Sequence, residues 1–470
     1  MIKKMRRLKR VHFVGIGGSG MSGIAEVMLG LGYQIQGSDL SKSEQVKRLE
    51  SLGATVFIGH HRDNVHKADA VIVSSAIDDN NCELIEAQKL MLPIVARAEM
   101  LAELMRFCYS IAVAGTHGKT TTTSLVASIL AEGGLDPTYI IGGRLKSSNS
   151  HAKLGLSEYL VAEADESDAS FMHLKPMIAV VTNIDADHMS TYDNDMNKLN
   201  QGFLNFLHNL PFYGLAIMCI DDPGVCEILP KIKRSITSYG LSENADIRAS
   251  NIKLSKELTT FEVSRKQNKS KLKISLNLPG KHNIQNALAA IAVASELEID
   301  DDSIVAAFEN FGGIDRRFQI TNNVKCNNGQ FTLIDDYGHH PTEIRATVDA
   351  VRASWPEKKL TLVFQPHRYS RTKELFDEFI DALTNVDQVF VGEIYPAGES
   401  PIEGINSVNI VNRLKKNGVI NIYLLSSLND AIPILDNLLG NDEILLCMGA
   451  GDIGKFASDL PDNLNIEHQS

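Results

Sequence analysis

The chain is poor in the features that mark secreted, membrane-spanning and nucleic-acid-binding proteins. Its six cysteines (Cys82, Cys108, Cys219, Cys226, Cys326 and Cys447) are scattered over 470 residues without a C-x-x-C pair. They read as reduced core residues of a cytoplasmic protein and not as a disulfide framework. No apolar run reaches the length of a transmembrane helix, so no membrane insertion is expected. The basic start, Lys3 to Arg10, could be taken for the head of a signal peptide. The next residues, Val11-His12-Phe13-Val14-Gly15, are too short and Gly-rich a run for the apolar part and read as a strand. A positive charge excess is also missing. The net charge of −12 argues against nucleic acid or an anionic membrane as partner. There is no low-complexity tract and no short repeat. The composition is 44% hydrophobic and 22% charged, the balance of a globular protein with ample core. The length suggests about three domains.

The coarse pattern is α/β throughout. From about residue 9 to 107, short apolar strands (Val11–Val14, Tyr33–Asp39, Ala70–Ser75) alternate with helices, which implies a parallel sheet covered on both faces. Residues 108–318 form a central segment with strands at Ser110–Val113, Tyr159–Glu163 and Met177–Asn183. A more polar alternating stretch, Asp246 to Leu278, reads as antiparallel strands, and an Ala-rich helix runs from Ile284 to Glu296. Residues 319–470 hold strands at Phe331–Asp335, Leu360–Phe364, Gln388–Val391 and Glu443–Cys447 with helices between. The fold expected is an N-terminal Rossmann-like domain (1–107), a central P-loop ATPase-like domain with a parallel sheet plus a small antiparallel one (108–318), and a C-terminal Rossmann-like domain (319–470).

The most informative run is Gly115-Thr116-His117-Gly118-Lys119-Thr120-Thr121, set between a buried strand and a helix. Small residues let backbone N–H groups face phosphates, and the helix N-terminus favours negative charge. Lys119 would reach the terminal phosphates and the Thr120 hydroxyl would sit on Mg²⁺. The usual loop is G-x-x-x-x-G-K-[ST]. Here it is two residues shorter, which points away from an ordinary GTPase or kinase.

Gly15-Ile16-Gly17-Gly18-Ser19-Gly20 fits G-x-G-x-x-G between strand and helix, and Asp39 follows at the end of the next strand. This is the dinucleotide fingerprint. It specifies a pyrophosphate with a ribose beside it, which a nucleotide-sugar carries as well as NAD does. Glu163-Ala164-Asp165-Glu166-Ser167-Asp168 and Asn183-Ile184-Asp185-Ala186-Asp187-His188 each follow a central strand. Oxygen ligands for a phosphate-bound metal belong there, and Glu163 and His188 are the candidates. Asn283 and Asn286 share one helix face beside His282. Arg316-Arg317 stands at the boundary of the last two segments, where Arg can bridge phosphate. Two strand ends of the third segment carry Asp335-Asp336-Tyr337-Gly338-His339-His340-Pro341 and His367-Arg368-Tyr369-Ser370-Arg371, a basic cluster suited to an anionic substrate.

Taken together, the Gly15–Gly20 loop, the Gly-Thr-His-Gly-Lys-Thr loop, Glu163 to Phe171, Asn183 to His188 and Asp336 to Pro341 resemble the Mur ligase family over essentially the whole chain and in family order. The resemblance implies a cytoplasmic step of peptidoglycan synthesis. ATP, with Mg²⁺, phosphorylates the lactyl carboxylate of UDP-N-acetylmuramate, and the amine of L-alanine displaces phosphate. It implies that Gly115 to Thr121 hold the ATP phosphates and that Thr120, Glu163 and His188 hold Mg²⁺. His282, Asn283 and Asn286 would line the nucleotide site, with Arg317 and Asp336 closing on it. Gly15, Gly17, Gly18, Ser19, Gly20, Ser38, Asp39, Ser74 and Ser75 would hold the UDP part. His339, His367, Arg368 and Arg371 would hold alanine or the muramoyl carboxylate. Sibling ligases that add later residues carry a carbamylated Lys some turns after the His188 position. This chain reads Asn200-Gln201-Gly202-Phe203-Leu204-Asn205-Phe206 there and has no Lys. A ligase attaching a murein tripeptide to the same sugar nucleotide would share these loops. An NAD-dependent oxidoreductase would leave Gly115 to Thr122 unexplained, and a non-catalytic nucleotide-binding protein would leave the Mg²⁺ constellation without purpose.

Overall fold

The computed structural model describes residues 5–146, 148, 150–256, 258–266 and 268–467; Lys3, Lys4 and the Ser19 side chain lie outside the described residues. Strands β1 (Arg10–Val14), β2 (Gln34–Asp39), β3 (Thr55–Ile58), β4 (Ala70–Val73) and β5 (Ile94–Ala96) form a first sheet in the order β3-β2-β1-β4-β5. Every pair in it is parallel. Val11, Phe13 and Val14 are buried apolar residues, as a strand covered on both faces requires, and His12 between them is a buried polar one. The order reverses between β1 and β4, and such switch points are where open α/β sheets take ligands. The Gly15–Gly20 loop leaves β1 there.

The second sheet holds β6 (Tyr109–Ala114), β7 (Thr138–Leu145), β8 (Ser150–Lys153), β9 (Tyr159–Glu163), β10 (Ile178–Val181), β11 (Leu215–Cys219), β12 (Ser235–Gly240), β13 (Ile247–Ser255), β14 (Leu258–Arg265) and β15 (Asn268–Leu276). Their order is β15-β14-β13-β12-β11-β10-β6-β9-β7-β8. β6 lies at the functional centre, parallel to β9 on one side and to β10 on the other. Both acidic runs therefore leave strands that flank the phosphate loop. The polar stretch Asp246 to Leu278 supplies β13 to β15 at one end of this sheet, although β13 joins β12 in parallel. The third sheet holds β16 (Gln319–Cys326), β17 (Gly329–Asp336), β18 (Lys359–Phe364), β19 (Gln388–Val391), β20 (Ile422–Leu424) and β21 (Glu443–Met448), ordered β16-β17-β21-β18-β19-β20. β16 is antiparallel to β17 and the other pairs are parallel.

The three sheets fall into two packed units. The first runs to Ile252 and takes up Thr260–Ser275 and Asn283–Gly312; the second comprises Lys253–Thr259, Leu276–His282 and the chain from Gly313 on. The first and second sheets share one core, which includes Phe13, Ile24, Ile140, Leu160 and Phe203. Close approach makes this possible. A Cβ on Gly30 of the helix Ser19–Gly30 would stand 2.8 Å from Leu154 Cδ2, and one on Gly23 3.0 Å from Ile140 Cγ2. Larger residues on that helix face would push β7 and β8 away. No helix among the described residues is long and apolar enough to cross a membrane.

Candidate active site

The phosphate loop links β6 to the helix Lys119–Glu132. Gly115 has φ +130°, and a Cβ on it would collide with Thr182; Gly118 has φ +80°, and a Cβ there would press on Asn286. Both glycines are therefore required by backbone and by space. Gly118 caps the helix without any side-chain hydrogen bond. The first-turn N–H groups of this helix thus lack a side-chain cap, an arrangement that fits the phosphates of a nucleotide. His117 N donates to Asn183 Oδ1 (2.8 Å), the His117 ring stands 3.2 Å from Asp185, and Thr116 Oγ1 accepts from Asp185 N (2.9 Å). Asn286 accepts from Thr122 Oγ1 (3.2 Å) and donates to Asn283 Oδ1 (3.3 Å). Asn286 thus faces the phosphate loop, with Asn283 bonded behind it, as their shared helix face suggested. His282 falls in the second unit.

Lys119 is held more firmly than its motif implies. Its ammonium donates to Gly115 O (2.6 Å), Thr116 O (3.1 Å) and both oxygens of Glu166 (3.0 and 2.8 Å). Burial opposes the charge on Asp165, yet Lys119 and Arg97 hold its carboxyl below the usual range. Glu163 ends β9, with Oε1 accepting from Gly142 N (2.7 Å). His188 sits at φ +54° at the head of the turn Met189–Tyr192, its Nε2 3.5 Å from Asp187. Thr120 and Thr121 are buried in the first turn of the loop helix. A carboxylate, a hydroxyl and an imidazole are each donors of a kind that Mg²⁺ accepts.

The Gly15–Gly20 loop is pinned by its neighbours. Gly15 N and Ile16 N donate to Ser38 O, both at 2.9 Å, and Gly17 N donates to Asp39 Oδ2 (2.8 Å). The Ser38 hydroxyl is fully buried and donates to Glu83, so Ser38 acts on the loop through its carbonyl. Gly18 caps the helix Ser19–Gly30 with no side-chain bond. Ser74 O accepts from Ile77 N, and Ser75 Oγ donates to Asp168 (2.9 Å). Arg97 joins the two loop systems. A Cβ on Gly20 would lie 3.0 Å from its Nη1, while its Nη2 reaches Asp165 at 3.4 Å and Asp168 at 3.9 Å. Sequence reasoning missed Arg97. The available signal was a cation in the first turn of the helix Arg97–Met105, where the dipole disfavours it.

In the second unit, His339, His367 and Arg371 of the expected basic cluster lie together. The rings of His339 and His367 lie 5.5 Å apart, Arg371 Nη1 is 3.5 Å from His367 Nδ1, and His367 stacks on Tyr395. Arg368 has φ +71° and donates its N–H to Tyr395 O (2.8 Å). Burial, with Arg371 and His367 nearby, drives the His339 ring down to about 3 against the pull of Glu343, so the ring is neutral. Arg316 and Arg317 both lie over the Tyr337 ring at 5.2 Å. Asp336 accepts from Phe318 N and Gly338 N, both at 2.8 Å. Burial raises its carboxyl above the ordinary range while Arg317 opposes the rise.

Three family models match in sequence order. They are the Mur ligase family, catalytic domain, over residues 10–109, the Mur ligase middle domain over 113–294, and the Mur ligase, glutamate ligase domain over 316–451. The chain belongs to the Mur ligase family. A Mur ligase is an ATP-dependent acid–amino-acid ligase of peptidoglycan synthesis, and cell-wall biogenesis is this Mur ligase's setting. It is similar to the crystal structure of the UDP-N-acetylmuramate–alanine ligase MurC from Thermotoga maritima, with 28% identity, 98% of this chain and 100% of that chain covered, and a TM-score of 0.82. It also shares its fold with a murein peptide ligase from Psychrobacter arcticus (24% identity, 97% and 98% covered, TM-score 0.72). The MurF ligase from Thermotoga maritima, whose structure is a complex with ADP, has the same fold at 16% identity (93% and 96% covered, TM-score 0.63).

Proposed function

We propose that this Mur ligase joins L-alanine to the lactyl carboxylate of UDP-N-acetylmuramate, converting ATP to ADP and phosphate, in the cytoplasm. The observation that carries this reading is the full-length likeness to an alanine-adding ligase at a TM-score of 0.82. The segments 1–107, 108–318 and 319–470 serve as sugar-nucleotide, ATP and amino-acid domains. Gly115 to Thr121 cradle the ATP phosphates, and Lys119 neutralises charge as the γ-phosphoryl transfers. Thr120, Glu163 and His188 hold Mg²⁺, which would screen the phosphate charge. Asn283, Asn286 and His282 line the adenine nucleotide, and Arg317 and Asp336 complete the catalytic set. Gly15, Gly17, Gly18, Ser19, Gly20, Ser38, Asp39, Ser74 and Ser75 hold the UDP part. His339, His367, Arg368 and Arg371 receive the carboxylate of alanine or of the muramoyl group.

A carboxylate is a poor acyl donor because its leaving group would be oxide. Phosphorylation gives the lactyl carboxyl a good leaving group, and the amine then forms the amide while phosphate departs. The deciding assay measures phosphate release from ATP and UDP-N-acetylmuramate with L-alanine, glycine, L-serine or murein tripeptide as amine. Turnover with L-alanine is expected. Turnover with tripeptide alone would move the assignment to wall recycling.

A further inference from the structure

A second polar cluster lies under the first sheet, apart from the phosphate loop. Its centre is Glu83, in the first turn of the helix Cys82–Lys89 and 0% exposed. The parallel register pairs His12 with Gln36 and Val14 with Ser38, so the pleat brings His12, Gln36 and Ser38 to the same face. Glu83 Oε1 accepts from Asn64 Nδ2 (2.6 Å) and His61 N (3.3 Å). Its Oε2 accepts from the Ser38 hydroxyl (2.5 Å) and lies 3.3 Å from both His12 Nε2 and His60 Nδ1. Burial alone would raise the Glu83 carboxyl. Hydrogen bonds from His12, Ser38 and Asn64 outweigh it and hold the group at about 2, so Glu83 is a carboxylate and its neighbours must donate.

The proton positions are then determined in sequence. Gln36 Nε2 donates to Asn64 O (2.7 Å), which fixes the nitrogen end of that amide. The same nitrogen stands 3.4 Å from His12 Nδ1, so Nδ1 accepts and His12 Nε2 carries the hydrogen toward Glu83. Ser38 has one hydroxyl hydrogen, and Glu83 takes it. The Ser38 oxygen, 3.0 Å from His60 Nδ1, can therefore only accept. His60 Nδ1 faces two acceptors and must bear a hydrogen, so a ring with one hydrogen keeps its lone pair on Nε2. No group among the described residues is bonded to that nitrogen, and the ring is 16% exposed. His60 follows Gly59, whose N–H still bonds to Asp39 O (2.8 Å). The ring thus stands at the carboxyl ends of β2 and β3, beside the loop that bears the fingerprint, where such sheets receive ligands.

We propose that His60 reads the base of the sugar nucleotide, accepting through Nε2 a hydrogen bond from the ring N–H of uracil, and that Glu83 is the positioning residue that sets its tautomer. This rests on the reading that the first sheet holds UDP-N-acetylmuramate. Uracil has a single ring N–H in a nucleotide, at N3. Cytosine has a lone pair there, which would face the lone pair of His60. A site built around one hydrogen bond rejects an analogue that lacks the donor.

The test is competition against labelled UDP-N-acetylmuramate bound to the full-length protein, using UDP and N3-methyl-UDP as competitors. Wild type is expected to prefer UDP by about tenfold or more, the worth of one hydrogen bond at a partly exposed site. In His60→Ala the preference should fall to near one. In His60→Gln, whose amide oxygen can stand near the former Nε2, part of it should return. ¹⁵N-histidine spectra should show the His60 ring with its hydrogen on Nδ1 in wild type, and Glu83→Gln should raise the Nε2–H form while lowering the preference. Equal preference in wild type and His60→Ala, or an Nε2–H ring in wild type, overturns the inference and leaves the sugar-nucleotide reading standing. A wild type that does not bind UDP-N-acetylmuramate overturns both.

Discussion

Lys119 and Glu166 form an enclosed ion pair in the phosphate loop, with Nζ 2.8 Å from Oε2 and the Glu166 side chain only 3% exposed. Burial opposes the charge on both partners: it lifts the Glu166 carboxyl to about 7, while Glu166 and Asp165 keep the Lys119 ammonium protonated. The cation is therefore fixed at the head of the helix Lys119–Glu132 before any phosphate arrives. Preorganised charge of this kind stabilises a transition state without reorganisation at the moment of reaction. Lys119→Ala should leave a folded protein whose turnover falls by at least about a hundredfold, by analogy with other electrostatic donors at reacting centres. Circular dichroism and steady-state phosphate release check this together, and near-normal turnover in a folded variant would sink the phosphate-loop assignment.

Of the two strands that flank β6, Glu163 closes β9, and His188 follows β10 by seven residues. If they hold the metal, Glu163→Ala and His188→Ala should each raise the Mg²⁺ concentration that gives half-maximal rate. Titrating Mg²⁺ at saturating ATP measures it. Unchanged Mg²⁺ dependence in both variants would mean that they serve the strand ends alone.

Both ligand loops were legible before the structure because their chemistry is local. Gly115 and Gly118 must adopt positive φ, and strand, loop and helix succeed one another within a short stretch. The interior strands of the first and third sheets, and β6, β9 and β10 of the second, were legible for a similar reason, being short apolar runs such as Ile111–Ala114. The edge strands β3, β5, β8, β16 and β20 were not, nor were β7, β11 and β12; β16, for one, alternates weakly and is half exposed. Side-chain partnerships were also hidden. Glu166 and Glu163 look alike within one acidic run, yet only the fold brings Glu166 onto Lys119. Glu83 reads as a helix-start acid until His12, Ser38 and Asn64 converge on it from three other elements.

Asp39 accepts from Gly17 N and Ser41 N, so its carboxylate shapes the loop that would meet the pyrophosphate. Asp39→Ala should raise the KM for UDP-N-acetylmuramate while leaving the KM for ATP near its wild-type value. Wild type should bind no nicotinamide cofactor. A fluorescence titration with NADH tests this directly, and stoichiometric binding would favour an oxidoreductase.

The buried Glu83 carboxylate makes a pH-dependent contribution to stability. Its folded pKa, about 2, lies below the ordinary value of 4.5, so the stabilisation is fully present above pH 4.5 and is lost as pH falls through about 2. The shift corresponds to about 3 kcal/mol at pH 7, of which less than about half remains at pH 3. Urea unfolding of wild type and Glu83→Gln should therefore show a gap that is constant from pH 7 to about 5 and narrows below 4.5. A gap that widens toward acid would mean that Glu83 is not the ionised centre of the cluster.

The order of chemical events is the most demanding prediction. If the lactyl carboxylate is phosphorylated first, one of its oxygens must leave with the phosphate when the amine attacks. UDP-N-acetylmuramate labelled with ¹⁸O in both carboxylate oxygens should therefore yield phosphate carrying one ¹⁸O per turnover and an amide keeping the other. Mass spectrometry of the released phosphate reads this without assumptions about rates. Attack by water on the activated carboxyl would give labelled phosphate too, so amide and phosphate must be counted together and should match one to one. Unlabelled phosphate would exclude an acyl phosphate. AMP and pyrophosphate as products would move the chemistry to the α-phosphorus, where Lys119, fixed by Glu166 at the end of the loop, would no longer stand against the charge that develops.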